Sequence, residues 1–390
     1  MKIIFINHQE NSLGYSMLRY ENILSKGMRN RGHHVEIWGP KLYFSNGVDF
    51  PTGFRKWLRY IDRYLIFPLF FKIKSKKLPK DTLFVLIDQA LGIWTPLIQH
   101  KKHLVHCHDF IALKSAMGQI KQNPISWTGK IYQRLILKGF SKAKYFVSVS
   151  KNTQVELEQF LNKKPLISRQ VYNAVDSIFK VGSSVEARFE IGNYLQLDLE
   201  SGYILHVGGN TFYKNRVGVI ELYTAWRNMS SRVLPLLMIG SAPTPHLEQL
   251  YDASPYKKDI HFLVRVDDDL LVKAYQGASV FVFPSLDEGF GFPIAEALTV
   301  GCPVITTDNA PMNEVGGTVA KYIKRCPDEQ GLHIWAKESA PVLETVLQYS
   351  EDELDCLRRI SIVSAERFNK EKILDQLEQI YKVVVTNNSH

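Results

Sequence analysis

The 390-residue sequence is most informative first in what it lacks. It holds only four cysteines, Cys107, Cys302, Cys326 and Cys356, with no CxxC pair and no metal-ligand spacing. A disulfide scaffold and a zinc module are therefore set aside, and ordinary buried thiols are expected. No G-x-G-x-x-G turn follows the first strand-like run, where NHQENSLGYS stands instead, which counts against a nicotinamide-dependent oxidoreductase. No DxD-like pair follows a strand, and Asp267, Asp268 and Asp269 read as a helix cap and first turn. No apolar leader precedes the first strand-like run, so the expected compartment is a reducing cytoplasm. In the segment richest in aromatics the longest uncharged run, Tyr64 to Phe71, falls far short of the ~20 residues a spanning helix needs, and Pro68 interrupts it.

What is present suits a globular chain. A hydrophobic fraction of 45% and a charged fraction of 22% exclude a disordered chain. The length is too great for one core and suits two domains of about 150 to 200 residues. The net charge of +9 is unevenly divided. Residues 1–180 hold 29 Lys and Arg against 11 Asp and Glu, and the remainder 19 against 28. A basic first half implies an anionic partner, either a membrane surface or an acidic acceptor.

Short apolar runs mark the strands. KIIFIN, a turn at Gly14, a helix over 15–30 and HHVEIWGP form a βαβ unit, which favours a parallel sheet. LFVLID, KHLVHCHD and AKYFVSVS continue it. A second series runs YILHVGG, PLLMIGS, DIHFLVRV, VFVFPS and CPVITTD. The expected class is α/β, with two doubly wound Rossmann-like sheets. The expected domains are 1–180, 181–370 and a closing helix over 371–390, with a polar linker near Tyr172 to Glu200.

The segment EGFGFPIAE carries the chemistry. It follows the VFVFPS strand, spaces Glu288 and Glu296 eight positions apart, and places Gly289 and Gly291 before a helix opening near Pro293. Glycines admit close backbone approach, proline suits a first helical turn, and exposed amides at a helix start attract phosphate.

FVFPSLDEGFGFPIAEALTVGCPVITTD followed by NEVGG resembles the E-x7-E region of retaining glycosyltransferase family 4, the group 1 glycosyl transferases. YILHVGGNTFYKNR, VRVDDDLLVKAYQGASVFVFPS, VSVSKNTQVEL and VYNAVD are similar to other stretches of that family, in the same order, whereas residues 40 to 100 match nothing nameable. The resemblance implies the GT-B fold, with an N-terminal acceptor domain and a C-terminal donor domain facing across a cleft, and a last helix that returns to the first domain. It also implies transfer from a nucleotide sugar with retention at the anomeric carbon, neither a metal nor another cofactor being needed.

Site roles follow from the same resemblance. Glu296 would hold the ribose hydroxyls and Glu288, with the amides of Phe290 and Gly291, the donor sugar. Lys214 would neutralise the diphosphate, and His108, beside Asp109, would lie near the sugar. Gly14, Gly209, Asn210, Arg216, Val264, Arg265, Gly289 and Phe292 complete the implied donor set. The family's arginine directly after the Val-Gly pair is absent, Gly209 standing in its place, and Arg216 is the candidate substitute. That departure keeps open a non-catalytic nucleotide-sugar-binding partner subunit as the alternative. His103 and His106 share a strand with His108 but lack a carboxylate partner for a metal site.

Phe54 to Lys80 combines nine Lys and Arg with aromatics and leucines. Either it covers the first sheet with a solvated basic face, or it lies on an anionic membrane with Trp57, Phe67 and Phe70 in the acyl boundary; the charge of the first half favours the membrane. No nucleic-acid module accompanies it. The expected partners are thus a nucleotide sugar, a glycan or lipid-linked acceptor, and the inner face of the cytoplasmic membrane.

Overall fold

The computed structural model describes residues 1–8, 15–43 and 58–387. The chain divides into two units, Met1–Ala174 with Lys370–His390, and Val175–Asn369.

In the first unit, β1 (Lys2–Ile6), β2 (His34–Trp38), β3 (Leu83–Leu86), β4 (His103–Cys107), β5 (Tyr145–Ser148) and β6 (Ile167–Gln170) form one sheet in the order β2-β1-β3-β4-β5-β6. Every pairing is parallel. Continuous burial of IIFI, LFVL and YFVS is the pattern of strands covered on both faces. The second unit repeats the plan with β7 (Ile204–Gly208), β8 (Leu236–Gly240), β9 (Ile260–Val264), β10 (Val280–Phe283), β11 (Val304–Thr307) and β12 (Lys321–Ile323), ordered β12-β11-β10-β7-β8-β9 and again parallel.

The ten strands expected from apolar runs are all present. The two that were not expected, β6 and β12, are edge strands of sequence ISRQ and KYI, only partly buried and therefore not apolar throughout. Within the polar linker expected over 172–200, residues 172–183 carry no helix or strand and hold the boundary after Ala174, whereas Ser184–Leu195 is a helix capped by Ser183. Only Ala187, Ile191 and Gly192 of that helix are buried, so its apolar periodicity is weak. The boundaries between units fall after Ala174 and before Lys370.

The last helix, Lys370–Thr386, belongs to the first unit and buries Ile373, Leu374, Leu377, Tyr381 and Val384. It lies close against the helix Tyr15–Asn30, where a Cβ added at Gly27 would stand 2.4 Å from Leu374 Cδ1. Arg31 donates to Glu371 and Asp375 at 2.7 and 2.9 Å, and His33 contacts Glu378 at 2.9 Å. These polar pairs orient the helix, while the buried side chains hold it. Leu374, fully buried, should cost the chain about 2–5 kcal/mol when replaced by alanine, read as a lower urea midpoint in a denaturation series. An unchanged midpoint would mean that this helix adds nothing to the fold.

Candidate functional site

In the second unit β7, β8 and β9 extend to one side and β10, β11 and β12 to the other, so the chain order reverses between β7 and β10. Loops leaving the carboxyl ends of two such strands diverge and open a crevice, the usual ligand position in a doubly wound sheet. Lys214 follows β7 and Glu288 follows β10.

Backbone bonds hold these two loops together. Leu286 N donates to Tyr213 O at 2.7 Å, as does Ser285 Oγ at 2.7 Å. Asn215, in the left-handed conformation that asparagine tolerates, caps the helix Arg216–Met229 and donates to Pro284 O at 3.0 Å. The result is an ion pair, with Lys214 Nζ 2.7 Å from Glu288 Oε1. That oxygen also accepts from Ser285 Oγ at 2.8 Å. Lys214 Nζ lies 4.8 Å from the centre of the Phe283 ring.

Gly291, at φ 96°, turns the chain into the helix Phe292–Val300, with proline in its first turn. The glycine is required because L side chains rarely adopt that backbone conformation. Glu296 is buried in this helix and accepts from Tyr275 Oη at 3.1 Å. Phe290 is buried against Phe292 and Phe368, so only its backbone can face a ligand. Gly289 and Phe292 are half-buried beside it.

Across the crevice, Gly240 at φ 149° ends β8, and a Cβ there would meet Gly208 O at 2.0 Å. Gly209 carries no such demand, since a Cβ would meet only Ser241 Oγ at 3.4 Å. Asn210, exposed, donates to Ala242 O at 2.6 Å. Arg216 is buried; its guanidinium donates to Asn210 Oδ1 and, at 2.8 Å, to Ser241 O. Burial pulls its pKa down to about 10. Among the described residues its Nε and second terminal nitrogen are buried without a hydrogen-bond partner. Arg216 thus braces the 209–210 loop rather than standing free beside Lys214. Val264 and Arg265 leave the end of β9 exposed, Arg265 at φ 59°. Asp267 caps the helix Asp268–Gly277 by accepting from Leu270 N at 2.8 Å.

In the first unit the reversal lies between β1 and β3. His8 follows one and Asp88 the other, and His8 Nε2 lies 2.8 Å from Asp88 Oδ2. Neither residue is singled out by sequence pattern; their place two positions beyond the switch-point strands is the signal that could have found them. His108 is buried, with Nε2 2.8 Å from Ile87 O, and desolvation holds its pKa below the ordinary histidine value, against the pull of Asp88. His103 is bonded to Lys101 O and Lys144 N, and His106 lies between Tyr20 and Tyr381, so both are satisfied core histidines. Gly14 lies outside the described residues.

The two six-stranded parallel sheets define the GT-B class. HepE of Anabaena, solved in complex with UDP and glucose, superposes with a TM-score of 0.72 at 15% identity, over 98% of this chain and 99% of that one. Residues 201–334, within the second unit, match the model of the glycosyl transferases group 1. O-antigen chain mannosyltransferase B of Escherichia coli is 29% identical over 185 residues, 47% of this chain and 46% of that protein. O-antigen chain mannosyltransferase RfbU of Salmonella typhimurium is 26% identical over 208 residues, 53% and 54% respectively. The matched stretch spans about half the length of each relative.

Burial pushes the Asp88 carboxyl up, but the His8 hydrogen bond, the charges of His8 and His108 and the Ala90 amide outweigh it, so its pKa lies below the ordinary value. A lowered carboxylate pKa contributes stability above the unfolded value of about 3.9, and that contribution is lost as pH falls through the folded value. Asp88→Asn should therefore lower the urea midpoint at pH 7, and the wild type's advantage should shrink below about pH 4. A pH-independent advantage would deny the ionised pair.

Proposed function

We propose that the chain is a retaining glycosyltransferase. It moves a hexose-type sugar from a nucleoside-diphosphate sugar to a glycan or lipid-linked acceptor, in building cell-surface polysaccharide or lipopolysaccharide. The reading is carried by the Lys214–Glu288 pair at the β7/β10 switch point, beside the start of the helix Phe292–Val300 and inside the stretch that matches the group 1 model. The O-antigen mannosyltransferases among its relatives and the nucleotide held by HepE point the same way.

In this reading Lys214 and the amides opening the helix take the diphosphate, Glu296 the ribose hydroxyls and Glu288 the sugar hydroxyls. The anomeric carbon–oxygen bond breaks as the acceptor oxygen bonds to the same face. The acceptor proton passes to the departing phosphate, whose charge is stabilised by Lys214. Since lysine and helix dipole meet that charge, the reaction calls for no metal. A lipid-linked acceptor places the enzyme at the inner face of the cytoplasmic membrane, in contact with anionic lipid.

One observation favours a second reading, a binding-only partner subunit: the clamp has Gly209 where the family it resembles carries arginine, and Arg216 is committed to Asn210 and Ser241. Donor hydrolysis without acceptor separates the two, because a binding-only subunit releases no sugar.

Calorimetry against UDP, GDP and ADP should find one nucleotide that binds. Lys214→Ala and Glu296→Ala should each weaken it about tenfold or more, the scale of a charged hydrogen bond. Unchanged affinity in Lys214→Ala would remove the donor site from this crevice. Because a Cβ at Gly209 meets only Ser241 Oγ, at 3.4 Å, Gly209→Arg should fold normally and bind that nucleotide more tightly. A weaker complex would show that the loop cannot present a second cation.

A further inference from the structure

The basic segment expected to meet a membrane through Phe67 and Phe70 is built the other way round, and Trp57 lies outside the described residues. Phe67 and Phe71 are core residues and Phe70 is half-buried against Trp38. Lys74 is paired rather than free, with Nζ 2.9 Å from Glu36 Oε2 and 4.5 Å from the centre of the Trp38 ring. The outward face of Asp62–Ile66 and the helix Phe67–Ser75 is aliphatic instead. Leu65, Leu69 and Ile73, four residues apart, are 60%, 57% and 65% exposed.

A second helix repeats the arrangement. On Trp127–Phe140 the same four-residue spacing exposes Trp127, Ile131 and Leu135, by 75%, 36% and 46%. The two helices meet at a Tyr64–Tyr132 hydrogen bond, which adds to the burial that raises the Tyr132 pKa. Water-exposed apolar rows on two adjoining helices are costly unless another phase covers them.

Charge decides which phase. The helix Trp127–Phe140 contains no carboxylate, and the only one between residues 58 and 80 is the buried Asp62. Lys72, Lys76, Lys77, Lys130, Arg134 and Lys138 are exposed beside the rows, and among the described residues none of them is in an ion pair. Apolar side chains bordered by unpaired cations fit a layer whose surface is anionic and whose interior is hydrocarbon. Among the described residues no helix is long and apolar enough to cross a membrane, so contact is from the side.

We propose that Leu65, Leu69, Ile73, Trp127, Ile131 and Leu135 form one face by which the first unit docks on an anionic lipid bilayer. This deepens the membrane contact of the functional reading and rests on it only for the use made of the docking, delivery of a lipid-linked acceptor.

The test is flotation of the full chain with vesicles of phosphatidylethanolamine containing about a third phosphatidylglycerol, beside neutral phosphatidylcholine vesicles. Three variants accompany the wild type: Leu65→Ser/Leu69→Ser/Ile73→Ser, Trp127→Ser/Leu135→Ser, and Lys72→Glu/Lys76→Glu/Lys77→Glu. The wild type should float with the anionic vesicles and not the neutral ones. Each variant should lose about tenfold or more of that partition. All three alter exposed residues, so circular dichroism and nucleotide binding by the second unit should match the wild type, which separates lost docking from lost fold.

Failure of the wild type to float would overturn both the face and the membrane contact, leaving the donor-site reading to its own calorimetric test. Flotation undiminished in either apolar-row variant would overturn the face while leaving membrane contact elsewhere. A wild-type dimer in solution that the apolar-row variants dissolve would assign the face to a second copy of the chain and overturn the lipid proposal.

Discussion

The ion pair between Lys214 and Glu288 is the contact on which the candidate site of the second unit turns. Neither side chain could be held in this way by its own loop. Tyr213 O accepts from both Ser285 Oγ and Leu286 N, and Asn215 reaches Pro284 O, so the loops after β7 and β10 are tied where the sheet would otherwise let them part. A buried carboxylate without a partner is expensive, and Glu288 is supplied with two, lysine and serine. This has a consequence for recognition. A diphosphate that draws Lys214 away leaves Glu288 short of a donor, and the hydroxyls of an attached sugar can restore it. In the proposed reading, phosphate and sugar recognition are then coupled through one side chain, favouring the whole nucleotide sugar over its parts.

Much of this was legible in the chain because the physics was local. Strands buried on both faces write themselves as apolar runs, and the EGFGFPIAE segment announces a glycine turn into a proline-started helix, where Gly291 and Phe292–Val300 are found. Arg216 was not legible. Its number suggested a second phosphate cation, yet its direction depends on Asn210 and Ser241, which lie in different loops. His8 and Asp88 are 80 residues apart and become partners only when β1 and β3 are laid side by side. The edge strands β6 and β12 were hidden because half-exposed strands need few apolar residues.

The basic helix of the first unit shows the same limit in another form. Composition marked a segment rich in aromatics and cations but not which residues face inward. Aromatic rings have large areas to bury, and Phe67 and Phe71 take the core beside Trp38 and Phe84. The aliphatic side chains at the alternate positions are left outside. The matching row on Trp127–Phe140 was not legible because a spacing of four with a lysine and an arginine between reads equally well as an ordinary surface helix.

The central claim concerns where a nucleotide diphosphate sits, and the most direct measurement is a crystal structure of the chain grown with the nucleotide it binds. Density for the two phosphates between Lys214 and the amides opening the helix Phe292–Val300, with the ribose on Glu296 and Lys214 drawn off Glu288, is the expected result. Phosphates bound elsewhere, with the Lys214–Glu288 pair intact at 2.7 Å, would contradict it.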